Sequence, residues 1–210
     1  MNFDLCEDKQ IKIMRNRRNL WIIVVVVFIG ILILSGVRSY NGMVTKSEKV
    51  DEQWSNVENS YQRRADLIPN LVNTVKGYAD FESKTLTAVI EARSKATTIQ
   101  IDPKNLTAEN MKQFQDAQAG LGSALSRLMV VVEQYPNLKA NQNFLDLQAQ
   151  LEGTENRIST ERRKFNEMAR DYNTFIKMFP KNIYAGIFNF DKKPYFEAAE
   201  GAEKAPEVKF

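Results

Sequence analysis

The sequence predicts an all-α protein: a single membrane-spanning helix near the amino terminus, followed by an elongated antiparallel four-helix bundle. Three observations carry this. Residues Leu20 to Val37 read LWIIVVVVFIGILILSGV, eighteen residues without a charge. Glycine and proline are sparse between Gly42 and Phe179, and apolar residues there recur at steps of three and four. No stretch alternates apolar and polar residues in the manner of a strand.

The apolar run comes first. At about 1.5 Å per residue it comes close to crossing a hydrocarbon core of about 30 Å. A buried core helix and a cleaved signal peptide are the competing readings. Four consecutive valines with no polar face argue against the first. The second needs small residues at a cleavage site, and none is clear after Leu34. Leu34-Ser35-Gly36 resembles the start of a lipoprotein processing site, but Val37 stands where a lipid-bearing cysteine belongs. An uncleaved anchor over residues 20–37 follows, with the lipid bilayer as its partner. The leader 1–19 holds Lys9, Lys12, Arg15, Arg17 and Arg18, whereas Arg38, Lys46 and Lys49 follow the run. The positive-inside rule then puts the amino terminus in the cytoplasm and the larger domain outside the cell membrane. The leader is suited to touch anionic headgroups.

Composition excludes several chemistries. Net charge is only +3, most of it in the leader, which argues against nucleic acid as a partner. Histidine is absent and Cys6, before the anchor, is the only cysteine. The main domain therefore lacks the commonest general base, a thiolate nucleophile, any internal disulfide and the usual zinc ligands. No catalytic residue, cofactor or metal site is assigned.

Four helices are expected after the anchor. The first spans about 42–68, with Met43, Ser47, Val50, Trp54, Val57, Tyr61, Arg64 and Ile68 on one face. Gly36 and Gly42 are candidate bends. Pro69 marks a kink or a fresh start, because proline removes an amide donor and clashes with the preceding turn. The second helix runs over about 69–96 through Val72, Val75, Ala79, Glu82, Leu86, Val89, Arg93 and Ala96. A loop containing Asp102-Pro103 follows.

The third spans about 108–134, with Thr107 as N-cap. Its face carries Phe114, Ala117, Leu121, Ala124, Leu125, Leu128, Val131 and Val132, and Gly120 and Gly122 favour close helix approach. The fourth spans about 141–178. There Phe144, Leu151, Ile158, Phe165, Tyr172 and Phe179 repeat every seven residues, the seam of a coiled-coil-like helix. Such helices would be roughly 40–55 Å long. After Pro180, Ile183, Ile187, Phe188, Phe190, Tyr195 and Phe196 are too apolar for a free tail and are expected to strap onto the bundle, completing a domain over 42–196. Residues 197–210 lack a packing pattern and are expected to be disordered.

RRADLIPNLVNTVKGYADFE (63–82), Ala92-Arg93, EQYPNLKAN (133–141), LEGTENRI (151–158), RRKFN (162–166), DYN (171–173), Phe179-Pro180 and Tyr195-Phe196-Glu197 together resemble the LemA family. The likeness covers almost the whole chain, including the basic leader and single anchor. It implies a four-helix domain on a single-pass bacterial membrane protein, with no accepted enzymatic activity. It also implies a carboxyl domain in the cytoplasm, against the charge count, which we follow.

Charges on apolar stripes are the sharpest local feature. Arg64, Glu82, Arg93 and Glu161 fall on faces expected to be buried, and Thr154 joins them on the seam. A buried lone charge is costly, so cross-helix pairing is expected, with Glu155 or Arg162 as partners. The bland reading is a polar layer that fixes helix register. The functional alternative is a cluster that senses a ligand or does chemistry; misplaced faces are the third. Asn166 and Asn173, each after an aromatic residue and seven apart, suggest buried asparagine ladders or a recognition surface. The combined reading is a non-enzymatic, membrane-anchored interaction scaffold of the bacterial envelope, engaging unidentified membrane or envelope proteins or further copies of itself. The rival is a ligand-sensing or enzymatic bundle built on the Glu/Arg layer.

Overall fold

A computed structural model describes residues 4–77 and 83–197, with side chains from Asn19 onward. Six α-helices account for most of them: α1 (Asp4–Lys76), α2 (Ser83–Thr98), α3 (Ala108–Val132), α4 (Pro136–Lys139), α5 (Gln142–Lys177) and α6 (Lys181–Ile187). A 3-10 turn, Pro103–Asn105, precedes α3. Among the described residues there is no strand. The leader's side chains, Ala79, Glu82 and the tail beyond Glu197 lie outside the described residues.

The chain divides into two compact units. One comprises the residues up to Thr45 together with Phe175–Asp191; the other comprises Lys46–Thr174 and Lys192 onward. The helices α1 and α5 each run through both.

In the first unit α1 carries the apolar run, which is long and apolar enough to cross a membrane. Only 6% of its most apolar window is buried inside the protein. That removes the core-helix reading: apart from the half-buried Gly30, Ser35 and Gly36, every residue from Leu20 to Val37 is exposed. Gly36 and Gly42 do not interrupt the helix. They are sites of close approach, where an added Cβ would lie 3.2 Å from the Tyr184 ring and 2.6 Å from the Phe175 ring respectively. The stretch 181–187, expected in a strap on the bundle, is the helix α6 and belongs to this unit. Tyr40 meets Phe188 and Phe190 edge-on, with centroids 5.1 and 5.6 Å apart.

The second unit is built on the expected stripes. Val50, Trp54, Val57, Tyr61 and Ile68 of α1, Leu86, Val89 and Ala96 of α2, Phe114, Leu121, Leu128 and Val132 of α3, and Phe144, Leu151, Ile158, Phe165 and Tyr172 of α5 are all buried. Ile68, Val89, Leu121 and Phe144 belong to one continuous core. At about 25 cal/mol per Å² of apolar surface, these stripes supply the main stabilisation. Phe179, the last of the seven-residue series, instead lies beyond the end of α5 and is 81% exposed.

Three local expectations are corrected. The α1 helix passes through Pro69 and ends at Lys76, so no fresh start falls at the proline, and α2 begins only at Ser83. Gly120 and Gly122 are not at a helix contact, since nothing lies within 4 Å of an added Cβ at either. The stretch after Pro136 forms a further short helix, α4. Thr107 does cap α3, and Asn110 returns the bond to complete a capping box.

Candidate functional site: a polar layer and a clamped strap

Arg64 is 5% exposed and stands on the buried face of α1. Its guanidinium donates to Glu155 Oε2 at 2.7 Å and to Gln118 Oε1 at 2.7 Å. Gln118 Nε2 in turn donates to the Ala96 carbonyl at 3.1 Å. One hydrogen-bonded chain thus runs from α5 through α1 and α3 to α2. Ala96 is in the last turn of α2, where carbonyls lack helical donors, so Gln118 also caps that helix. The Glu155 end of the ion pair is 61% exposed, and Arg64 Nε is buried without a partner. The layer therefore joins a dry end to a wet one.

Arg93 reaches the backbone beside this chain. Its Nε donates to the Ala65 carbonyl at 2.7 Å. Ala65 precedes Pro69 by four, and proline has no N–H for that carbonyl. Arg93 supplies a donor in place of the missing one where α1 continues through the proline.

Glu161 lies elsewhere, in its own group. Gln53 Nε2 donates to its Oε2 at 2.7 Å and Lys164 to its Oε1 at 3.0 Å. The Gln53 bond, then Lys164 and Arg157, hold its carboxyl below the usual range against the opposing effect of burial. Burial alone raises Glu58. Burial also raises Tyr61, against the pull of Arg162 and Arg64. A cavity of about 360 Å³ beside Glu161 is lined by Gln53, Asn56, Asn59, Ser60, Arg63, Arg157 and Lys164.

Arg162 comes beside the layer at Tyr61, whose ring Arg64 overlies and whose hydroxyl both arginines pull down against burial. Arg162 sits over the Phe196 ring, 4.8 Å from its centroid, and donates to the Glu197 carbonyl at 2.8 Å. The structure thus joins Arg64 to Glu155, brings Arg93 to the neighbouring residue, sets Arg162 beside them at Tyr61 and gives Glu161 a group of its own. Glu82 is outside the described residues.

Sequence reasoning singled out Asn166 and Asn173 without finding their partner, which is an extended strap over residues 192–197. Asn166 Nδ2 donates to the Phe196 carbonyl at 2.9 Å and its Oδ1 accepts from the Phe196 N–H at 2.8 Å. Asn173 does the same for Lys193, at 2.8 and 2.9 Å. Seven helical residues rise about 10.5 Å, and three residues of extended chain span about 10 Å, so the two asparagines match positions 196 and 193. Between them the strap drops Phe196 into the core, stacked on Trp54 at 5.8 Å and edge-on to Phe165 at 5.3 Å. Lys193 pairs with Asp51 at 2.8 Å, both largely buried. Glu197 ends the strap, its N–H held by Gln115 at 3.2 Å.

A surface groove of about 720 Å³ is lined by residues of α2 and α3, the small Ala88, Ala92, Ala117, Gly120 and Ala124 together with the charged Glu91, Lys95, Asp116 and Arg127.

Residues 53–210 match the sequence model of the LemA family. The chain belongs to the LemA family. Among similar proteins, magnetosome protein MamQ 2 of Paramagnetospirillum magneticum is 31% identical, over 82% of this chain and 68% of its own length. Magnetosome protein MamQ of Magnetospirillum gryphiswaldense is 29% identical, over 75% and 64%. Protein LemA of Metamycoplasma hominis is 25% identical, over 86% and 78%. This LemA-family chain is accordingly a membrane-associated helical protein with bacterial relatives.

Proposed function

We propose that this LemA-family protein is a non-enzymatic scaffold: residues 20–37 fasten it to the bacterial cell membrane and the helical unit beginning at Lys46 presents its surface to other envelope proteins or to further copies of itself. The observation that carries the reading is the way its stripe charges are used. Arg64, Gln118, Glu155 and Arg93 are engaged in joining helices to one another, and Arg162 and both asparagines in holding a strap. These are register-setting and fastening roles, which make a rigid surface for binding. The names of the magnetosome relatives refer to a cellular structure and not to a reaction, which agrees with it. The charge count across the anchor orients the domain outward.

Photo-crosslinking in intact membranes tests the proposal. Crosslinkers at Ser94 and Ser123, both lining the α2–α3 groove, should give discrete adducts with a membrane or envelope protein or with a second copy. Crosslinking to lipid alone, at these and at other exposed positions, overturns it.

The second reading, a ligand sensor, is favoured by one feature: the cavity beside Glu161 gathers Arg63, Arg157 and Lys164 around polar side chains. A small anion stabilising the protein against heat, with the effect lost in Arg157→Gln, would put this reading first.

A further inference from the structure

The segment after α5 has no clear reason to be as apolar as it is. Phe179, Ile183 and Ile187 fall at successive spacings of four and are 81%, 52% and 64% exposed. Met178 and Phe188 beside them are also exposed. For a domain surface in water this is a costly patch. Its position along the anchor accounts for it. Tyr184 Oη donates to the Leu32 carbonyl at 3.0 Å, and the Tyr184 ring fills the space left by Gly36. Leu32 and Gly36 are inside the eighteen-residue apolar run. The short helix α6 therefore lies against the last turns of the membrane-spanning stretch, at their level, with Ile183 and Ile187 exposed on either side of Tyr184.

The crevice between the anchor and the start of α6 has a matching composition. It encloses about 680 Å³ and is lined by Ile31, Leu34 and Val37 together with Arg38 and Lys181. An apolar wall topped by two cations fits an acyl chain and an anionic headgroup. Lys181 is steadied by the Phe175 ring, 3.7 Å from its centroid.

We infer that the segment Met178–Phe188 is a second membrane-contacting element: α6 lies in the bilayer interface against the anchor, and the crevice between them seats an anionic phospholipid at Arg38 and Lys181. The exposed Ile183 and Ile187 flank Tyr184, which contacts the exposed apolar run at Leu32 and Gly36, and so bilayer lipid is the occupant of this patch. The inference rests on the anchor reading of residues 20–37. It holds for either orientation of the domain. Aromatic and apolar side chains flanked by basic residues are the composition that the bilayer interface selects.

The test uses the full chain with Cys6→Ser, carrying a single environment-sensitive fluorophore at Ile33→Cys, Ile187→Cys or Leu145→Cys. Each is reconstituted in phosphatidylcholine vesicles with or without phosphatidylglycerol, and quenched by acyl-chain spin-labelled lipids. Quenching is expected at positions 33 and 187, with position 145, outside both apolar segments, as the comparison site. At position 187, spin-labelled phosphatidylglycerol should quench at least twofold more than spin-labelled phosphatidylcholine. Arg38→Gln with Lys181→Gln should remove that preference while leaving quenching at position 33 intact. Water-like emission at 187 with quenching at 33 overturns the inference and leaves the anchor standing. So does a crosslink between two copies at 187 without lipid quenching, since a second copy would then cover the patch. Equal quenching by the two lipids overturns the headgroup seat. Loss of quenching at 33 overturns the anchor and this inference together.

Discussion

Arg93 completes the hydrogen bond that Pro69 takes away from Ala65. The guanidinium Nε stands 2.7 Å from the Ala65 carbonyl, whose helical donor would be the N–H at position 69. Proline inside a helix costs about 3 kcal/mol, part of it the orphaned carbonyl. A charged donor recovers some of that loss.

The two side chains should therefore be energetically coupled. Arg93→Met should cost about 1.5–3 kcal/mol with Pro69 present, the value of a hydrogen bond from a charged group. In a Pro69→Ala background the carbonyl regains its helical donor, and the same change should cost about 1 kcal/mol less. Pro69→Ala alone should raise stability. A double-mutant cycle by urea unfolding measures the coupling; strictly additive effects would contradict the compensation.

The Arg64 layer should respond unequally at its two ends. Arg64→Met removes a buried cation and leaves Gln118 without its donor, a loss of about 3 kcal/mol. Glu155→Gln, at the exposed end, should cost under about 1 kcal/mol, as surface ion pairs do. Arg64→Lys should not restore the layer, because one ammonium replaces the fork that serves Glu155 and Gln118 at once. Thermal unfolding of the three variants checks the ranking.

The strap should be released one clamp at a time. Asn173→Ala leaves the Lys193 N–H and carbonyl without their partner, and Asn166→Ala does so at Phe196. Each change should cost about 1–3 kcal/mol. Hydrogen exchange at the Lys193 amide should accelerate first in Asn173→Ala, and at the Phe196 amide first in Asn166→Ala. Asn166→Asp keeps the acceptor but sets a carboxylate against the Phe196 carbonyl, so it should loosen the strap as much as alanine does.

Helical periodicity made the long stripes legible because burial repeats with the turn of the helix. Val50, Trp54, Val57, Tyr61 and Ile68 could be placed from spacing alone. What spacing does not carry is the compensation of one residue by another far away. Pro69 reads as a break until Arg93, 24 positions on, is known to reach Ala65. Asn166 and Asn173 were visible as a pair, and their separation already matches three residues of extended chain, but nothing local says which segment they hold. Gln118 escapes a reading based on apolar spacing although it follows Phe114 by four and precedes Leu121 by three. A polar side chain on that stripe was the available signal. Apolarity groups the segment 181–187 with the strap, although Ile183 and Ile187 prove exposed, because composition does not say what surrounds an apolar side chain.

Glu161 gives the acid limb of stability a named source. Gln53 and Lys164 hold its carboxyl below the value it has in the unfolded chain. A depressed folded-state value means the unfolded state binds the proton more readily. The contribution is therefore complete above the ordinary carboxylate range and is lost as the pH falls through the lowered value. Glu58, raised by burial, works in the opposite sense, so the two partly offset as acid is added. Between pH 6 and pH 3 the urea midpoint of the wild type should fall more steeply than that of Glu161→Gln, which has no proton to take up. Gln53→Leu should flatten the same limb by removing the bond that lowers Glu161 most, while leaving Lys164 in place. Parallel curves for all three proteins would show that the Gln53–Glu161 bond carries no weight in the folded state.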